Sequence, residues 1–254
     1  MFPLIAMLGT LIAVSLSASA EEIRVYSGGA PQMALKVLAP EFERTTVHKL
    51  QFTYAVVGEI RKRLAAGEKA DLILLPSPLM DSLEKAQALR PGSRTLLARV
   101  GIGVIVRQGV PAPDISTPEA VRKALLDARS IAYSDPKLTP GGKYLAGMMG
   151  KLGIAEAVDS KTTRKNAIDG GAALVANGDV ELGMYLVSEV QSMRGVTIVG
   201  LLPAQLQNYV VYDSAVAVNS NAAEAALAFQ KFLSDPANHA NWKAAGFEPL
   251  SGAK

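Results

Sequence analysis

The 254-residue chain contains no cysteine. Disulfides, thiol nucleophiles, cysteine–zinc sites and a lipid-modified N-terminal cysteine are thereby excluded. Histidine is nearly absent too, with two in the chain. His48 and His239 lie far apart, and neither has an acidic or nucleophilic partner at a recognisable spacing. The patterns HExxH, GxSxG, GxxxxGK[ST] and GxGxxG do not occur. Asp71 and Asp135 stand alone at strand ends, where an acid commonly caps a turn. The expectation is therefore a protein that is not an enzyme and carries no metal and no cofactor. Aromatics make up 6% of the chain and no long Lys/Arg run is present. Nucleic-acid binding, which calls for a basic stripe with stacking aromatics, is not expected.

What is there begins with MFPLIAMLGTLIAVSLSASA, residues 1–20. The apolar run from Leu4 to Leu16 is shorter than the ~20 residues of a membrane span. The small residues Ser17-Ala18-Ser19-Ala20 follow it, so the segment reads as a secretory signal cleaved near Ala20. A periplasmic, monomeric protein of about 234 residues is expected after cleavage (254 minus 20). Without disulfides its stability must come from its core. The net charge of +3 suits attraction of a small anion.

Strand and helix patterns then alternate. EIRVYS, KLQFTYAVV and ADLILLPS read as strands, each followed by an amphipathic helix. That order predicts an α/β fold with mostly parallel sheets flanked by helices. RTLLARVGIGVIVRQG reads as one long uninterrupted strand, and YVVYDSAVAVNS as its later counterpart. Between them lies a second α/β set. Two lobes are expected, residues 21–99 with 209–254 and residues 100–208, joined by two hinge strands near 98–107 and 209–218.

Three strand-to-helix junctions carry small residues: Ser27-Gly28-Gly29-Ala30, Val56-Val57-Gly58-Glu59, and Ser134-Asp135 running to Thr139-Pro140-Gly141-Gly142-Lys143-Tyr144. Ligands of open α/β sheets bind at the carboxyl ends of strands. Glycines let the backbone approach, and helix N-termini offer unpaired N–H groups to an anion. Such junctions also occur for turn geometry alone, and it is the three together, facing one cleft, that point to an anion site.

The stretches VYSGGAPQMA, RLAAGEKADLILLPS, SDPKLTPGGKYLAGMMGKLG, GAALVANGDVELGMYLVSEV and FQKFLSDPANHANWKAAGFEPL resemble class II periplasmic solute-binding proteins, and among them the molybdate-binding proteins of ABC importers. The resemblance covers nearly the whole chain after the signal. It implies a two-lobed periplasmic-binding-protein fold that closes on its ligand and docks on a membrane permease. It also implies an oxyanion site of serine hydroxyls, backbone amides and a tyrosine. The serine positions of that pattern fall on Ala30 and Val57, the amide positions on Gly141 and Ile168, and the tyrosine position on Leu186, beside Tyr185. The expected site is thus Ser27, Gly28, Gly29, Ala30, Val57, Gly58, Ser134, Gly141, Gly142, Ile168 and Tyr185. The ligand is a molybdate- or tungstate-like oxyanion or, since two hydroxyls are gone, an organic acid with Lys143 or Arg61 as counter-charge. An effector-sensing domain and a secreted hydrolase are the rival readings. The signal segment argues against the first, and the missing nucleophile–base pair against the second.

Overall fold

The computed structural model describes residues 20–250. The signal segment expected at residues 1–20 lies outside them but for Ala20. Among the described residues no helix is long and apolar enough to cross a membrane.

The first half of the chain alternates regularly. Strand β1 (Glu22–Gly28) leads to α1 (Gln32–Thr45), β2 (Lys49–Ala55) to α2 (Val57–Ala65), and β3 (Leu72–Pro76) to α3 (Ser77–Lys85). β4 (Thr95–Val100) and β5 (Ile102–Arg107) follow. Next come α4 (Pro118–Asp127), β6 (Ile131–Tyr133), α5 (Pro140–Lys151), α6 (Ala155–Asp159) and β7 (Thr162–Arg164). A 3-10 turn at Ala167–Asp169 precedes α7 (Gly171–Asn177), β8 (Leu182–Leu186), α8 (Val187–Val190) and β9 (Val196–Leu201). The chain ends with β10 (Val210–Val216), α9 (Ala223–Ser234), α10 (His239–Ala244) and β11 (Glu248–Pro249).

The strands form two sheets, β11-β4-β10-β3-β1-β2 and β7-β6-β8-β5-β9. Each sheet with its helices makes one lobe, lobe 1 and lobe 2. The sheets are mixed rather than mostly parallel. β1 pairs in parallel with β2 and β3, and β6 with β7 and β8. β10 runs antiparallel to β3 and β4, and β5 antiparallel to β8 and β9. The strands that leave one lobe for the other or return from it pair antiparallel, as does the short edge strand β11 with β4.

β3 shows why the first sheet needs helices on both faces. All five of its residues are buried. Successive side chains of a strand point to opposite faces. Leu72 and Leu74 accordingly join the core under α1 and α9, and Ile73 and Leu75 the core under α2 and α3. The second sheet divides the same way, with Val104 and Met184 in one core and Ile105 and Tyr185 in the other.

The first lobe crossing corrects the expectation of one long strand. Residues 95–107 form two strands that belong to different sheets, with the break at Gly101. A Cβ there would lie 3.0 Å from Leu201 Cδ2 and 3.1 Å from Gln207 Nε2, so the crossing is a place of close approach. The second crossing, residues 202–209, is a loop and not a strand. Gln207 ties the two together: its Oε1 accepts from the Ile102 amide at 2.9 Å, and its Nε2 donates to the Ile102 carbonyl at 3.0 Å.

Candidate functional site

Strands β1, β6 and β8 end at a common level between the lobes, and the turns after them meet across a cleft. The cleft is closed. A Cβ on Gly29 in lobe 1 would lie 2.9 Å from Ile168 Cδ1 in lobe 2, and one on Gly246 would lie 2.9 Å from Val187 Cγ1. Beside these contacts is a cavity of about 30 Å³ lined by both lobes. That volume holds about two water-sized groups, and a larger guest must part the lobes.

Lobe 1 contributes Gly29, Val56, Val210 and Tyr212 to the wall, and lobe 2 contributes the rest. The apolar part is extensive: Val56, Ile102, Leu145, Met184, Leu186 and Val210. Among the described residues, no lysine or arginine lines the cavity. Lys143 and Arg61, the expected counter-charges, are both exposed on helix surfaces away from the cavity.

Several polar groups in the wall are occupied with the fold. Thr139 caps α5 by accepting from the Gly142 amide at 3.0 Å. Pro140 has no N–H, so Gly141 carries the first open donor of that helix. Asn166 Oδ1 accepts from the Asp135 amide at 3.1 Å, and its Nδ2 donates to Asp169 at 2.8 Å. The Tyr185 hydroxyl donates to the Lys165 carbonyl at 3.2 Å.

Glu189 is the one carboxyl side chain in the wall. It stands in α8, directly behind the carboxyl end of β8. It lines the cavity and keeps part of its surface accessible, so it is not packed in the core. Burial, and after it the nearby charge of Asp169, push its carboxyl up to about 7. Desolvation raises the Tyr212 and Tyr185 phenols as well, and the proximity of Glu189 adds to both. The two phenols are therefore neutral near pH 7, where the Glu189 carboxyl is poised between its two forms. Among the described residues no cluster of three or more His, Cys, Asp or Glu side chains is arranged to hold a metal ion.

The structure brings together five of the expected residues: Gly29, Ser134, Gly141, Ile168 and Tyr185 line the cavity. Ser27 does not. It is fully buried in β1, and its Oγ donates to the Gly28 carbonyl at 2.9 Å. Gly28 ends that strand, and Ala30 is buried in the lobe 1 core. Gly142 packs α5 onto the chain after β6, where a Cβ would collide with the Ser134 carbonyl. At the second junction Val56 reaches the lining and Gly58 does not, while the expected Val57 side chain lies outside what the structure describes. Glu189 and Tyr212 were missed as site residues by the sequence reading. Glu189 carries no distinctive signal in the sequence, where it sits in Val187-Ser188-Glu189-Val190 just past a buried strand.

Residues 23–248 match the family model described as bacterial extracellular solute-binding protein. The chain belongs to this family. An aconitate isomerase from Pseudomonas sp. is 33% identical over 217 residues, 83% of this chain and 81% of that protein. The molybdate-binding protein ModA of Escherichia coli (strain K12) is 25% identical, covering 92% and 93%. In structure, this solute-binding protein is similar to the substrate-binding domain of a putative molybdenum ABC transporter from Clostridium difficile. The TM-score is 0.73 at 17% identity, with 91% of this chain and 99% of that chain covered. At that identity the likeness speaks for the two-lobed fold.

Proposed function

We propose that the protein captures a small organic carboxylate between its lobes in the periplasm and presents it, in the closed form, to the permease of an ABC importer. The observation that carries this reading is the wall of the cavity. A tetrahedral oxyanion has no apolar surface, and each oxygen left without a donor costs about 1–3 kcal/mol or more. Val56, Ile102, Leu145, Met184, Leu186 and Val210 offer it none. The same side chains suit a carbon skeleton. The carboxyl of Glu189 adds to the argument, since while it holds its proton it can donate a hydrogen bond to an ionised guest carboxylate. With both groups ionised at 4 Å, repulsion would be about 4 kcal/mol at an effective dielectric of 20. The carboxylate specificity accords with the 33% identical relative, named for an enzyme of aconitate.

A molybdate- or tungstate-like oxyanion is the second reading, favoured by the relative named for molybdate and by the open Gly141 amide. Melting the protein with molybdate, tungstate, sulfate, cis- and trans-aconitate and small dicarboxylates separates the two. A ligand at ~100 times its dissociation constant adds about 2.7 kcal/mol of stability. The expected result is a shift with tricarboxylates or dicarboxylates, larger at pH 6 than at pH 8 because Glu189 must keep a proton in the pair. A shift with molybdate and tungstate alone would overturn the carboxylate reading.

A further inference from the structure

Helix α8 sits where the lobes meet. The Val187 amide donates to the Gly101 carbonyl of the first crossing at 3.0 Å. Leu186 and Val187 pack on the core of lobe 1. Gly246 lies in the turn of lobe 1 between α10 and β11. A Cβ on it would lie 2.9 Å from Val187 Cγ1 and 3.1 Å from the Ser188 amide nitrogen. With the lobes shut, both polar side chains of this four-residue helix lack a partner. Ser188 Oγ is buried without a hydrogen bond, the one such side-chain atom among the described residues. Glu189 lines the cavity between the lobes, where the described residues give its carboxyl neither a hydrogen bond nor a cation. We propose that α8 is a pH-sensitive release element: as Glu189 ionises, its charge disfavours the closed form and the lobes part, so that capture is favoured in acid and release at higher pH. The proposal concerns the motion of the lobes and is independent of which guest they hold.

An ionised carboxyl needs water, donors or a cation. The titratable groups that face Glu189 are Asp169 from the 3-10 turn, Tyr185 from β8 and Tyr212 from β10, and none of them supplies positive charge. β9, which packs on α8, carries no charged residue, and the crossing and the α10–β11 turn meet the helix with Gly101 and Gly246. The negative charge of Asp169 opposes ionisation further. Lobe 1 supplies Gly29, Val56, Val210 and Tyr212 to the wall, and parting the lobes withdraws all four and admits water to the carboxyl.

The direction of the response follows from these surroundings. In the closed form the carboxyl titrates near 7, against the usual 4.5 once it is hydrated. Below about pH 4.5 it is protonated in both forms and closure is unaffected. Between 4.5 and 7 the open form releases the proton while the closed form holds it, so closure weakens as the pH rises and stays weak above 7. Glu189 keeps part of its surface accessible in the closed form, which makes the response smaller than the full difference would give. Ser188 adds a cost of closing that does not depend on pH, since its hydroxyl finds water only when Gly246 moves off.

The chain has no cysteine, so a pair of spin labels can be placed without background. Lys62 in α2 and Lys143 in α5 are exposed, one on each lobe, and neither lines the cavity. The test is to measure the distance between labels at Lys62→Cys and Lys143→Cys by pulsed electron resonance, without guest, at pH 5 and pH 8. The ratio of closed to open protein should be about 10-fold higher at pH 5. Glu189→Gln, checked for folding by urea melting, should stay mostly closed, with the same distances at both pH values. Ser188→Ala should shift toward the closed form at both pH values and keep the pH response. A distance that does not change with pH would overturn the proposal, as would a pH response retained by Glu189→Gln or lost in Ser188→Ala. No guest enters the measurement, so a melting shift with molybdate and tungstate alone, which overturns the carboxylate reading, leaves its outcome untouched.

Discussion

Lobe 1 gives the cavity Gly29, Val56, Val210 and Tyr212, whereas lobe 2 gives it Ser134, Thr139, Asn166, Tyr185 and Glu189 beside its apolar residues. One wall is backbone, methyl groups and a single phenol, and the other carries nearly all the side-chain polarity. The difference follows from local structure. In lobe 1 the β1 turn buries Ser27 and Ala30 within the sheet and its core, leaving Gly29 as the surface. In lobe 2 the turns after β6 and β8 put polar side chains in the lining and satisfy most of them internally. A guest therefore finds its polar partners on lobe 2, and lobe 1 closes over it as a cover. Ligand favours the closed state only by the contacts it gains there, which makes Tyr212 the main polar reward for closure.

The sharpest break in this comparison is expected at Gly142. A Cβ there would run into the Ser134 carbonyl and the Asp135 backbone, neither of which can rotate away. Gly142→Ala should cost about 3 kcal/mol or more in urea unfolding, because it forces α5 off the wall that carries Ser134 and Thr139.

Glu189→Gln comes next, as a change in stability that depends on pH. The folded carboxyl titrates near 7 against a usual value of 4.5. Below about pH 4.5 both folded and unfolded chains are protonated and Glu189 costs nothing. Between 4.5 and 7 the unfolded chain releases the proton while the folded one holds it, so stability falls as pH rises and the loss is complete above 7. Glutamine does not titrate. The variant should match wild type at pH 4 and exceed it by about 2 kcal/mol at pH 8. That is less than the full shift implies, because the carboxyl opens on a cavity and not on dry core. Equal melting curves at both pH values would remove the physical basis for a protonated Glu189 in the cleft.

How far all this could be read from the chain itself varies by region. The apolar runs with regular helices between them, such as ADLILLPS ahead of α3, fixed the α/β class, since a strand buried on both faces needs helices on both sides. The sheet change at Gly101 was hidden because glycine inside an apolar run looks like a weak point of one strand. Gly141 and Ile168 emerged from the family resemblance, while Ser27 misled. Serine beside Gly-Gly looks like a free hydroxyl, yet β1 lies between β3 and β2 with its end buried on both faces, and Ser27 is buried with it. Glu189 was unreadable because VSEV has the composition of an ordinary surface turn, and it is the folded cavity, lined by both lobes, that surrounds it.

Val56→Ser tests the apolar wall on the lobe 1 side. It adds a hydroxyl donor one residue before the position where the family pattern has a serine and removes a branched aliphatic group from the lining. One hydrogen bond to a charged group contributes about 1.5 kcal/mol, so molybdate should bind about 10-fold more tightly and carboxylates more weakly. Titration of both ligands by calorimetry checks the opposite signs. A parallel loss of both would mean that Val56 matters for packing alone.

The smallest effect on stability, and the most informative about closure, is expected at Gly29. Its missing Cβ would press on Ile168 Cδ1 at 2.9 Å and Cγ2 at 3.1 Å, atoms of a side chain that can swing aside. Gly29 and Ile168 belong to different lobes, so the clash exists only when they are shut. Gly29→Ala should leave unfolding within about 0.5 kcal/mol of wild type while weakening ligand binding several-fold. Ile168→Ala on its own removes a partly exposed side chain and should do little. In the double variant the space lost at Gly29 is returned by Ile168, and binding should recover. A coupling energy above about 0.5 kcal/mol in ligand binding, with none in unfolding, assigns the contact to lobe closure. Additive effects would mean that Gly29 acts on the guest through its own backbone, and that the lobe 1 wall is more than a cover.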